Sequence, residues 1–166
     1  IWRFVRGGCL DESYTGLTQY YGTWYYIESG VLNWGYTGLA LYDGTWYYVQ
    51  KGILYRGYTG LAQYYGNWYY VEKGVLNWNY TGLCRYGNAW YYIANGKLNW
   101  YASGLCKYNG SWFYVNNGKV DFSYTGLARN AGNWFYVRNG VLNWNYSGSC
   151  PYNGHYYNVR NGIVVF

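Results

Sequence analysis

A unit of 22 residues, reading Tyr-Thr-Gly-Leu … Trp-Tyr-Tyr-Val … Asn-Gly-Val-Leu-Asn-Trp, recurs seven times along the chain. Self-similarity at a fixed period means one supersecondary unit stacked on copies of itself, each burying its apolar face on a neighbour. The expected organisation is a single array over residues 1–166. Its repeats are 14–35, 36–57, 58–79, 80–101, 102–123, 124–145 and 146–166, with 1–13 a partial repeat. The opening Tyr falls at Tyr14, Tyr36, Tyr58, Tyr80, Tyr124 and Tyr146, and Ala102 is the exception. The central Trp is Trp24, Trp46, Trp68, Trp90, Trp112 and Trp134, with Tyr156 in the last place. The chain starts in mid-unit and contains no Met, so it is expected to be a piece of a longer protein or a processed product.

The middle of each unit reads as a β-hairpin. Asn109-Gly110, Asn153-Gly154 and Asp43-Gly44 are two-residue turn signals, because such turns need positive φ at both central residues. Aromatic and β-branched residues flank them and suit strands. Asn95-Gly96, Asn117-Gly118, Asn139-Gly140 and Asn161-Gly162 mark a second turn. No helical apolar stripe survives glycines this frequent. With Asn109-Gly110 as the loop, Tyr108 pairs with Ser111, Lys107 with Trp112, Cys106 with Phe113 and Leu105 with Tyr114. Alternation then puts Cys106, Phe113 and Val115 on one face and Leu105, Lys107, Trp112 and Tyr114 on the other. The first is expected to be core, the second a groove open to solvent.

Composition narrows the chemistry. Aromatics are 27% of the chain and charged residues 11%. This is not the make-up of a disordered segment, which lacks aromatics. Residues 1–79 hold five Lys/Arg and five Asp/Glu; residues 80–166 hold seven and one, and so carry the whole net charge of +6. That charge reads either as a solvated surface or as a preference for anionic ligands in the C-terminal half. Arg85, Lys107 and Arg129 each face a Trp across a hairpin. They are either cations resting on indoles or a set of cation-plus-aromatic sites for an acidic polymer. The acids are scattered among different slots, His155 is the only His, and no nucleophile–base set clusters, so no enzyme is expected. No Cys pair has metal-ligand spacing, so neither a metal nor a cofactor is expected. Cys84, Cys106 and Cys150 share one slot with Ala and Thr; a free thiol as small filler is favoured over a disulfide. No apolar run approaches the ~18 residues of a membrane span.

The spaced run Thr-Gly-Leu … Asn-Gly … Trp-Tyr-Tyr-Val … Asn-Gly-Val-Leu resembles the cell-wall-binding repeats of bacterial surface proteins. That superfamily includes choline-binding modules, glucan-binding repeats and clostridial toxin-type repeats. The resemblance covers nearly the whole chain. It implies an all-β fold, a β-solenoid of stacked two-stranded β-hairpins, one per 22-residue repeat. It also implies a bacterial protein, secreted or at the cell surface. Ligand sites in the superfamily lie between consecutive hairpins. Carried onto this chain, the site slots are Trp24, Tyr26, Trp46, Tyr48, Trp68, Tyr70, Trp90, Tyr92, Trp112, Tyr114, Trp134 and Tyr136, with the cations Arg85, Lys107 and Arg129. Choline-binding repeats usually carry Thr-Gly-Trp where this chain has Thr-Gly-Leu, which is closer to the glucan-binding and toxin types. In the choline-binding repeats that Trp forms one wall of an aromatic cage; here the resemblance leaves Trp34, Trp78, Trp100 and Trp144 as rings to replace it from another direction.

The expected function is therefore non-catalytic, multivalent binding of a glycan or cell-wall polymer, anionic if the cations take part. The alternatives are a structural or adhesive rod whose aromatics only pack, or an adhesin that binds host protein. Nucleic acid is not expected, since half the chain is neutral.

Overall fold

The computed structural model describes residues Ile1–Phe166, and its regular structure consists of strands and turns. No helix is long and apolar enough to cross a membrane. Each repeat contributes three strands; in the third full repeat they are Gly60–Tyr64, Asn67–Glu72 and Val75–Leu76. The first two form the hairpin, with Leu61 opposite Tyr70 and Gln63 opposite Trp68. The register read from Asn109-Gly110 holds: Lys107 faces Trp112, Cys106 faces Phe113 and Leu105 faces Tyr114. Both turn residues have positive φ, as at Asp43-Gly44 (47° and 73°) and Asn117-Gly118 (48° and 73°).

Neighbouring hairpins are tied by backbone. The carbonyl of the second-turn glycine reaches the preceding repeat: Tyr26 N donates to Gly52 O and Tyr48 N to Gly74 O, at 2.8 and 2.9 Å. The same glycine donates inside its own repeat, Gly52 N to Tyr36 O. Side chains hold the connections in shape. The Thr or Ser after the opening Tyr accepts from the second turn, as Thr37 Oγ1 does from Lys51 N. Asn33, Asn77, Asn99 and Asn143 close Asx turns by accepting from the backbone N–H two residues on. These bonds explain why the unit keeps Thr-Gly and Asn-Trp at its ends: both pin turns.

The chain packs as two compact units, Ile1–Tyr80 with Asn95–Lys97, and Thr81–Ala94 with Leu98–Phe166. In the first, Leu17 packs against Ala40 and Val49 of the next repeat, and Leu39 against Ala62 and Val71. In the second, Leu127 packs against Cys150 and Val159. Within each unit a hairpin thus lays its Leu face on the Ala/Val (or Cys/Val) face of the next. This corrects the expectation of one buried and one open face. Leu17, Leu39, Leu61, Leu83 and Leu127 are only 1–2% exposed, although they share a face with the central Trp. Burying each contributes about 1.5–3 kcal/mol. The four cysteines are free; Cys84 and Cys150 are buried in the small-residue slot, and Cys9 is exposed.

Candidate ring sites between hairpins

The structure gives the expected site residues three different environments. The Tyr two places after the central Trp lies face to face with the opening Tyr of the next repeat. The pairs Tyr26–Tyr36, Tyr48–Tyr58, Tyr70–Tyr80, Tyr114–Tyr124 and Tyr136–Tyr146 have centroids 3.7–3.9 Å apart and planes within 20°. The opening Tyr also donates its hydroxyl to the Leu carbonyl three residues on, as Tyr36, Tyr58 and Tyr124 do to Leu39, Leu61 and Leu127. Such contact leaves no gap between the rings for a ligand. Tyr92 is the exception, because Ala102 stands where its partner ring would be.

The central Trp24, Trp46, Trp68, Trp90, Trp112 and Trp134 are half-buried. Four meet a Tyr of the next repeat: Trp24–Tyr42, Trp46–Tyr64, Trp90–Tyr108 and Trp134–Tyr152, at 4.5–5.1 Å with steep interplanar angles. At Trp112 the corresponding slot holds Asn130. Arg85, Lys107 and Arg129 are exposed and pair with Trp90, Trp112 and Trp134 in the ladder. Arg85 Nε donates to Gly87 O at 3.3 Å. The cations that do lie over rings are elsewhere: Arg6 over Phe4 and Tyr14 at 5.6 and 5.4 Å, Arg56 over Tyr47 at 5.5 Å and Lys97 over Tyr69 at 5.9 Å.

Trp34, Trp78, Trp100 and Trp144 are the most accessible indoles in the full repeats, each about half exposed (48–52%). Each stands edge-on to a ring of its own hairpin: Tyr25, Tyr69, Tyr91 and Phe135, at 5.8–6.1 Å. Arg56 occupies this slot in its repeat and covers the equivalent ring, Tyr47. Near the N-terminus, Trp2 stands edge-on to Tyr20 (5.1 Å) and near-parallel to Tyr25 (6.4 Å). These three rings help line a cavity of about 370 Å³ with Ile27 and Leu32. No group of three or more His, Cys, Asp or Glu could hold a metal ion.

Burial weakens the packed phenols and thiols as acids. It pushes the Tyr124 phenol up to about 12 and the Cys84 thiol up to about 11, and raises the Tyr36 phenol as well. The folded chain therefore holds these protons at a pH where the unfolded chain has begun to lose them. The stabilisation is fully present below the ordinary thiol and phenol values of 9.0 and 10.0, and is lost as pH rises toward 12. Alkaline titration followed by circular dichroism is expected to show stability falling from about pH 9 upward. A flat profile between pH 9 and 12 contradicts it.

The choline-binding repeat model matches residues 13–33, 35–54, 57–77, 79–99, 102–121 and 123–143. The match is to the choline-binding branch, where Leu in Thr-Gly-Leu pointed to the glucan-binding and toxin types. Among curated proteins nothing matches. Among solved structures, CbpJ from Streptococcus pneumoniae TIGR4 is 25% identical, with 92% of this chain and 52% of that chain covered and a TM-score of 0.36. Choline binding protein F from Streptococcus pneumoniae is 29% identical, with 92% and 48% covered and a TM-score of 0.34. The modular Cpl-1 endolysin, solved with a peptidoglycan analogue, is 23% identical, with 77% and 36% covered and a TM-score of 0.33. The chain thus spans about half the length of the first two. With six matched segments spread over most of the sequence, the chain belongs to the choline-binding repeat family.

Proposed function

We propose that this chain is a non-catalytic, multivalent module that attaches a bacterial secreted or surface protein to a wall polymer bearing quaternary ammonium groups. The observation that carries this reading is the repeated half-exposed indole, Trp34, Trp78, Trp100 and Trp144, held edge-on by a ring of its own hairpin. An indole face attracts a quaternary ammonium by about 0.5–2 kcal/mol, more as water is excluded. The three rings of Trp2, Tyr20 and Tyr25 offer two orientations of aromatic wall in one pocket. The central Trp slots and Arg85, Lys107 and Arg129 complete the proposed surface. The cations favour an anionic polymer, in keeping with the net charge of +6. Each site alone is weak, and several on one chain raise avidity by about 10²–10⁴ against a polymer.

Retention on purified cell wall tests this. The chain is expected to bind choline-bearing wall and to elute with free choline. The double variant Trp78→Ala/Trp100→Ala is expected to lose about tenfold in retention. Equal retention by wall stripped of choline, with no elution by choline, overturns the ammonium reading and leaves the glycan strand as ligand.

A further inference from the structure

The repeat is broken once at its opening position, and the break leaves open space where a ring stands in the other repeats. In five interfaces the opening Tyr stacks on a Tyr of the preceding repeat and donates its hydroxyl to, or stands beside, its own strand. At Ala102 the ring, the stack and the hydroxyl are all missing. Tyr92 keeps a bare face, and Leu105 O has no phenol to accept from. The glycine two residues on records the same loss. A Cβ at Gly38, Gly60 or Gly126 would meet the Tyr hydroxyl at 3.1–3.3 Å, whereas at Gly104 the nearest atom is Arg129 O at 4.0 Å.

The neighbours have not collapsed into the gap. Leu105 and Cys106 are half-buried, while their counterparts Leu39, Leu61 and Leu127, and Ala40, Ala62 and Ala128, are 1–4% exposed. Tyr92, Ala102, Gly104, Leu105, Cys106 and Trp112 line a cavity of about 410 Å³ there. Trp112 is also the indole whose edge-on Tyr is replaced, by Asn130. A related cleft of about 490 Å³ in the first unit includes the Tyr26–Tyr36 pair, so its ring position is filled. Two departures from the repeat thus flank one opening.

We propose that this opening is a binding site for a single-ring phenol, which takes the place of the absent tyrosine. Its ring stacks on Tyr92, and its hydroxyl donates to Leu105 O as Tyr58 does to Leu61 O. In this open cleft Tyr92, Leu105 and Trp112 offer an incoming ring the apolar contacts that the opening tyrosine makes in the other repeats. The site goes beyond the wall-polymer reading: its ligand is neutral and planar, whereas choline is a cation with no flat face to stack on Tyr92.

The test uses the whole chain and p-cresol, the excised side chain itself. Cys106 lines the cavity and reports occupancy. In the background Cys9→Ser/Cys84→Ala/Cys150→Ala, p-cresol at saturation is expected to slow maleimide labelling of Cys106 at least tenfold. Toluene, which lacks the hydroxyl, is expected to protect about tenfold less well. Ala102→Tyr restores the residue found in the other repeats; it is expected to fold, to raise Tm and to abolish p-cresol binding. Titration calorimetry on the unsubstituted chain gives the stoichiometry, expected to be one. Failure of p-cresol to protect, protection that persists in Ala102→Tyr, or protection by choline instead each overturns the proposal. The wall-retention result is read separately and is unaffected by any of these outcomes.

Discussion

Gly52→Ala unfolds the hairpins it joins, whereas Gly44→Ala is tolerated, although both glycines have a φ of 73°. The shared conformation costs any L-residue about 1–2 kcal/mol. The difference lies in space. At Gly44 nothing stands within 4 Å of an added Cβ. At Gly52 the Cβ would lie 2.5 Å from Asn33 O and 3.1 Å from the Trp34 Cα, both backbone atoms of the preceding repeat. Relief requires the hairpins to separate, which breaks the Tyr26 N to Gly52 O bond and uncovers the Leu17 cluster. The expected loss is about 1–2 kcal/mol for Gly44→Ala and more than about 3 kcal/mol for Gly52→Ala. Urea titration of the two variants measures it, and equal midpoints would refute the close-approach account. Interface damage in a repeat array also lowers cooperativity, so a broadened transition is expected for Gly52→Ala alone.

Replacing Leu39 by Ala removes a side chain that is 1% exposed and central to a cluster with Tyr48, Ala62, Val71 and Leu76. A cavity of that kind costs about 2–5 kcal/mol, the upper end where rigid neighbours cannot collapse. The surrounding aromatics, Trp46, Tyr58 and Tyr69, are such neighbours. Leu105→Ala makes the same chemical change beside the Ala102 opening, where Leu105 is only half-buried. Its cost is expected to be about half as large, because part of its surface already meets solvent. Thermal or denaturant unfolding of both variants checks the ratio. A Leu105→Ala loss as large as that of Leu39→Ala would mean that the opening is closed in solution.

Much of the hairpin was legible in residue order. Asn109-Gly110 imposes positive φ at two adjacent residues, and that turn dictates which residues face each other across the strands. Lys107 opposite Trp112 follows from the turn alone, before any packing. What alternation could not say is which face is covered. It separates Leu105 from Cys106, but stacked hairpins bury both, Leu of one repeat on Ala and Val of the next. An amphipathic pattern predicts a single buried face only where the second meets water.

The aromatic roles were the least readable. Tyr26 and Trp24 look equivalent in sequence, yet one is closed in a ring stack and the other half-open. Tyr36 read only as the start of a unit, and its work as stacking partner and hydroxyl donor depends on a ring ten residues earlier in the chain. Ala102 was visible as an exception without any visible consequence. The 22-residue period, the turn glycines and the strand residues by themselves determined hairpins repeated in series. The tertiary structure decided which aromatic rings are spent on packing, which indoles remain accessible and where a ring is missing. It decided these because ring stacking and close backbone approach act between repeats, at distances set by the superposition of hairpins and not by neighbours in the chain.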